Sequence, residues 1–311
     1  MNALDGMLES LSAVHVDAAA LADPRTSHVV VDGHCVVSRR AVPGVEVRVD
    51  ESADGVTLEL VVAEDARIEN PIHTCIGFLG PRGAQRIAVR LRLGPRASAT
   101  MLAHCLFPNA VFGSHDMDAS VELGAGAALR YREGHYHGLA GGMTVRPRIA
   151  VRVGPGARYF SDFLLTEGRV GRLEIGQRVE VADDGVAEVI ARVFGRGDDD
   201  IRVRDELVLA GKASRGLIKT RIALEEDARA EVIGVTRGQA EGARGHMDCM
   251  ELVRDRAVAR AEPIVEVSHP LAKVTHEAAV GTVDQAQLET LMAHGLSPEE
   301  AIDVIVTGIL R

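Results

Sequence analysis

AVRLRLGPRA (88–97), ASVELGAGA (119–127) and RIAVRVGPGA (148–157) repeat one pattern: an alternating apolar/polar run, a glycine-bearing turn, then alanine. Alternation over five to seven residues is the signature of a half-buried strand, because successive side chains point to opposite faces. The glycine supplies turn geometry. The pattern recurs in RVEVADDGVA (178–187) and earlier in LVVAEDA (60–66). Later copies are LVLAGKA (207–213), IALEEDA (222–228) and LVRDRA (252–257). From Ala66, successive closing alanines are 31, 30, 30, 30, 26, 15 and 29 residues apart, and the 15 reads as half of the main period. Strands returning every ~30 residues suit a chain coiled on itself, each rung advancing about 4.8 Å. Ala66 to Ala257 then spans about six rungs, roughly 30 Å. The alternative is a β-sandwich with evenly spaced strands, but sandwiches lean on aromatic cores, and aromatics are only 3% here, with no Trp.

The composition agrees with a sizeable core: 311 residues, 46% hydrophobic and 26% charged. At roughly 150 residues per domain the length allows one large domain or two small ones. The net charge of -10 argues against nucleic-acid binding through the phosphate backbone. No apolar run approaches the ~20 residues of a membrane helix. The first residues, MNALDGMLES, are acidic where a signal peptide is basic. A soluble cytoplasmic protein with no membrane partner is expected. None of Cys35, Cys75, Cys105 and Cys249 belongs to a CxxC pair, which excludes a zinc ribbon. They read either as buried structural thiols or as ligands near histidines.

Both ends depart from the repeat. Residues 2–22 are Ala/Leu-rich and read as one or two short helices. Near the C-terminus, Thr282 or Asp284 can cap a helix over QAQLETLMAH that Gly295 stops. Ser297-Pro298-Glu299-Glu300 is a capping box that opens a second helix. Together they are expected to close the open end of the coil, where a terminal rung would present unpaired edges. The expected fold is mainly β, a right-handed parallel β-helix. The expected divisions are an N-terminal helical segment over 1–25, a β-helix core over 26–280 and a C-terminal helical region over 281–311.

Histidines and cysteines keep phase with the repeat. His73 and Cys75 follow Ala66 by 7 and 9 residues, His104 and Cys105 follow Ala97 by 7 and 8, and His135 and His137 follow Ala127 by 8 and 10. Equal phase predicts one vertical column on adjacent rungs. That column is either a metal site for thiophilic ions or iron–sulfur species, or a ladder of histidines satisfied by backbone carbonyls. His115 differs in phase and is the weaker candidate. GHMDCMEL holds His246, Asp248 and Cys249. In VTHEAAVG, His276 and Glu277 alternate along a strand and so face opposite sides. No GxxxxGK[ST] loop or GxSxG elbow occurs, so the chain shows no nucleotide-hydrolysing or serine-nucleophile signature of its own.

The tail HPLAKVTHEAAVGTVDQAQLETLMAHGLSPEEAIDVIVTGIL (269–310) resembles the C-terminal signature of the SufB/SufD family. The matching pieces are His276-Glu277-Ala278, Gly281, Gln287-Leu288, Gly295-Leu296-Ser297, Glu300-Ala301 and Val306-Thr307-Gly308. GHMDCMELV and EPI upstream are also similar, so the likeness is strongest over roughly residues 200–311.

The resemblance implies a non-catalytic scaffold of iron–sulfur cluster assembly: a parallel β-helix whose C-terminal helices bind an ABC-type ATPase, SufC. Gln287, Leu288, Leu291, Ile302, Ile305 and Val306 are the expected contacts. Two scaffold chains associate through their β-helices, here as a homodimer or with a related chain, as in minimal two-component systems. The implied cargo is iron or a transient iron–sulfur cluster. Family assembly residues fall on His276 and Glu277. The family's cysteine falls on Asp248 by counting back, or on Cys249 one residue on, with His246 beside them. Two other classes compete. One is a metal-dependent solenoid hydrolase or lyase using His73, His104 and His135, and the other is a metal-free adaptor for the ATPase.

Overall fold

A computed structural model describes residues 3–14 and 16–310, so the expected N-terminal helices can be compared except at residues 1, 2 and 15. Alternation produces what it predicts. The chain forms two long sheets, of ten strands (sheet A) and nine strands (sheet B), laid face to face as a β-solenoid of about eight turns. Each rung gives one strand to each sheet. Arg82–Leu93 of sheet B leads to Ser98–Phe107 of sheet A, and Phe112–Leu123 leads to Ala128–His137. Neighbouring rungs pair in parallel, residue on residue thirty further on, as in Gln85 with His115 and Cys105 with His135. The alanine count gave six rungs because it began at Ala66 and ended at Ala257, missing the rungs that flank them.

Inward-pointing residues of both sheets form one continuous, mainly aliphatic core running from Val29 to Ala272, with Phe78, Phe107, Tyr131, Tyr159 and Phe163 among it. At one corner Asp65, Arg96, Gly126, Gly156, Asp184, Ala213 and Gly242 all have positive φ. Each of the first six donates its N–H to the carbonyl just before its counterpart on the next rung, at 2.8–3.0 Å. That conformation explains the Gly and Asp of the repeat. The alanine reading holds at Ala97, Ala127 and Ala157, all fully buried. It then slips. Strand pairing places Gly185 and Ser214 in that position, while Ala187 lies inside the strand Val186–Gly195. The 15-residue step is a change of corner: Ala213 precedes a sheet A strand, and Ala228 precedes the sheet B strand Arg229–Gly238.

At the N-terminal end two antiparallel pairings finish the sheets, His28–Asp32 with Cys35–Arg40 and Val45–Ser52 with Gly55–Val62. Helix α1 (Ala3–Ala13) and a 3-10 turn (Ala18–Leu21) lie on the outer face of sheet A. There Met7, Leu11 and Leu21 pack with Val30, Cys75 and Leu106. Near the C-terminus, α2 (Gln285–Ala293) is capped by Asp284. Helix α3 (Pro298–Ile309) starts with the expected Ser297/Glu300 capping box. The expectation that this pair closes the end of the coil is overturned. Val306 and Leu310 of the α3 region pack on Phe194, Ala223 and Leu252, which are outward residues of sheet A, so the helix lies along the flank. Its apolar stripe finds that sheet face rather than the last rung. The last rung, Val258–Val267 and Lys273–Gly281, stays largely exposed, with Val258, Val265, Val267, Leu271 and Val280 open to solvent.

Candidate functional site

The expected single His/Cys column divides in two, because His104 and Cys105 are consecutive in a strand and must point to opposite faces. Cys105 belongs to the interior, with Ala103 and Phe107. Cys75 belongs to the outer cluster under α1. His73 and His104 stack on that outer side with ring centroids 5.5 Å apart and facing nitrogens at 3.4 Å. Burial depresses the basicity of both, His104 to about 4, and raises the Cys75 thiol to about 12. This outer group is therefore neutral at physiological pH.

The inner group is larger than the sequence suggested. On the strand Ala128–His137, Tyr131, Glu133, His135 and His137 are all buried on alternate positions of one face. His115, whose phase had set it apart, comes from sheet B, the facing wall, and its Nε2 lies 3.9 Å from Cys105 Sγ. Its Nδ1 is 2.9 Å from Gln85 Oε1. The Gln85 amide nitrogen donates to the carbonyls of Gly33 and Gly77 at 2.7 and 2.8 Å, which fixes Oε1 as the acceptor. His135 Nε2 lies 2.8 Å from Glu133 Oε1, and the Tyr131 hydroxyl donates to Glu133 Oε2 at 2.6 Å. Ligand atoms of Cys105, Glu133 and His135 lie within 4.8 Å of one another. Burial holds the Cys105 thiol protonated, with nearby Glu133 adding to the rise, and lowers His115 to about 3. Among the described residues, His135 Nδ1 and both nitrogens of His137 are buried without a partner. Sequence reasoning missed Glu133, Tyr131 and Gln85. The signals were present: Glu133 alternates with His135, and Gln85 precedes His115 by one 30-residue period.

Further along the interior the polar file continues through Tyr159, Ser161 and Gln177. It ends with Asp205, Thr220, Thr236, Cys249 and Glu251, all buried. Burial raises Asp205 and Glu251 each to about 7. The C-terminal motif splits by register. Met247, Asp248 and Cys249 pair with His276, Glu277 and Ala278. Met247 and Cys249 are interior, so by alternation His276 rises from the interior side of the end rung. Glu277 shares the outer side with Asp248, which is paired to Arg221. His246 is also outside, 2.8 Å from Thr275 Oγ1. The Arg221 guanidinium holds Asp248 below the usual carboxylate range, while burial, helped by Glu251, raises Cys249 to about 12. Asp248 and Cys249 thus face opposite ways, the half-buried carboxylate outward and the buried thiol inward.

Of the expected helix contacts, Val306 is buried against the solenoid and Ile302 packs beside it. Gln287 is exposed, and Leu288, Leu291 and Ile305 are half-buried. Met292 and Val304 are the open apolar residues of the two helices. Among the described residues no helix is long and apolar enough to cross a membrane.

Residues 81–309 match the family model described as SUF system FeS cluster assembly, SufBD core domain. An iron–sulfur cluster assembly SufBD family protein of Pyrococcus horikoshii is 31% identical over 286 residues, 92% of this chain and 87% of that one. One from Methanocaldococcus jannaschii is 32% identical over 282 residues, 91% and 89%. The iron–sulfur cluster assembly protein SufB of Bacillus subtilis is 37% identical over 74 residues, 24% of this chain and 16% of that protein.

Proposed function

The chain belongs to the SufBD family of iron–sulfur cluster assembly proteins, and from that membership we propose that it is the scaffold subunit of an assembly complex driven by a SufC-like ABC ATPase. It catalyses no reaction and binds no nucleotide itself. The observation that carries this reading is the uncovered last rung. There exposed His276 stands on the interior side, over the face that carries Cys249, and exposed Glu277 stands on the outer side beside Asp248, while open strand edges and exposed valines flank them. Carboxylate and imidazole groups suit iron as it is loaded. Cys249 lies one layer in as a protonated thiol, and it joins only when the rung is displaced. The same edges take a second scaffold chain, another copy or a related one.

Helices α2 and α3 present Gln287, Met292 and Val304 outward to the ATPase. Movement of α3 passes to sheet A through Val306 and Ile302. The place of work is the cytoplasm. Co-expression with a SufC-like ATPase and anaerobic isolation tests the proposal. The expected result is a stable complex with visible iron–sulfur absorption, from which Val304→Asp releases the ATPase. A folded chain that purifies alone and colourless would contradict it.

A further inference from the structure

The interior group around Cys105 is used by nothing in the assembly reading. The geometry points to a resident mononuclear divalent cation, bound by Cys105, His115, His135 and Glu133 between the two sheets, distinct from the cargo handled at the open end.

The tautomer of His115 is settled by its neighbours. Gln85 Oε1 is an obligatory acceptor, since its amide nitrogen is committed to two carbonyls, so His115 Nδ1 carries the proton. Nε2 is then a bare lone pair, and it faces Cys105 Sγ at 3.9 Å. Metal–sulfur and metal–nitrogen bonds of ~2.3 and ~2.1 Å at a tetrahedral angle set that edge at about 3.6 Å. Metal-bound histidines characteristically hand their other N–H to a carbonyl or carboxylate. Gln85 performs that role for His115. Glu133 is oriented by the Tyr131 hydroxyl on Oε2, its Oε1 lies 2.8 Å from His135 Nε2, and the buried His135 Nδ1 has no partner among the described residues.

The charges also balance. A divalent ion displaces the Cys105 proton to solvent, and the resulting thiolate and the Glu133 carboxylate neutralise it, while His115 contributes a ring whose one proton is held on Nδ1 by Gln85. One thiol among nitrogen and oxygen donors is the wrong set for a cluster, which takes several thiolates. It suits zinc or ferrous ion. Cys105, Glu133 and His135 are each 1% exposed and His115 is 0%, so the ion enters while the rungs stack and is held against chelators afterwards.

The full chain is unfolded, stripped of metal and refolded anaerobically with cobalt(II). One cobalt per chain is expected, with a thiolate-to-cobalt absorption band, resistant to EDTA until the protein is unfolded. Cys105→Ser removes the band, His115→Gln lowers cobalt retention at least about tenfold, and Cys35→Ser, at an exposed thiol, changes neither. X-ray absorption of the zinc-loaded wild type, which needs no variant to fold, shows one sulfur among nitrogen and oxygen neighbours. Refolding without uptake, an unchanged band in folded Cys105→Ser, or a zinc shell lacking sulfur would each overturn the proposal.

Discussion

Asp205 shows what an interior polar residue does to this fold. Its strand, Asp200–Leu209, turns it inward between Val203 and Leu207, and neither carboxylate oxygen finds a partner among the described residues. Burial lifts it from 3.8 to about 7. A carboxyl whose folded pKa is raised binds its proton more tightly folded than unfolded. Its contribution is therefore favourable below pH ~4 and is lost as pH climbs to ~7. Asp205→Asn should thus match the wild type near pH 4 and exceed it at pH 8 by up to about 4 kcal/mol. Urea midpoints at the two pH values check this, and a constant difference would show that the carboxyl is not desolvated. Residue-level chemistry was only partly legible in the sequence. The 30-residue phase alone pairs Gln85 with His115, a link visible in advance to anyone applying the period to amides as well as to histidines. The partnership of His115 with Cys105 was not visible, because it crosses from one sheet to the other, and phase orders residues only within a sheet.

Elements were more legible than residues, because their signals are local. The Ser297/Glu300 box and the Asp284 cap appear where the sequence placed them. Ser297→Ala should weaken the first turn of α3 by about 1 kcal/mol. Amide exchange over 298–302 would then run about fivefold faster, while the sheets stay unchanged, and equal exchange would show that the cap is redundant. Where the helix docks was not legible. An amphipathic stripe specifies an apolar partner but not which one, and α3 chose Phe194, Ala223 and Leu252 over the end of the coil. Strand alternation was decisive in the other direction. The adjacency of His104 and Cys105, and of Asp248 and Cys249, already separates each pair onto opposite faces.

For the whole molecule the consequence is a division of labour along the solenoid axis. The N-terminal end is finished by antiparallel strands and α1, and its interior carries the closed Cys105 group. Arginine–carboxylate pairs about one rung apart in sequence, among them Arg96–Asp65, Arg146–Asp116 and Arg256–Asp227, tie successive turns together outside. The C-terminal end is left open, with its donors on the exposed edge. The fold and its period could be read from the repeat, whereas the openness of that end could not, since it depends on where α3 settles. The most direct measurement is the visible absorption after anaerobic reconstitution with iron and sulfide, comparing wild type, His276→Ala, Glu277→Gln and Cys105→Ser. Assembly at the open end predicts cluster loading reduced at least about fivefold in the His276 and Glu277 variants, a loss of about 1 kcal/mol or more of binding, and unchanged in folded Cys105→Ser. Equal loading in all four proteins, or loss confined to Cys105→Ser, would contradict it.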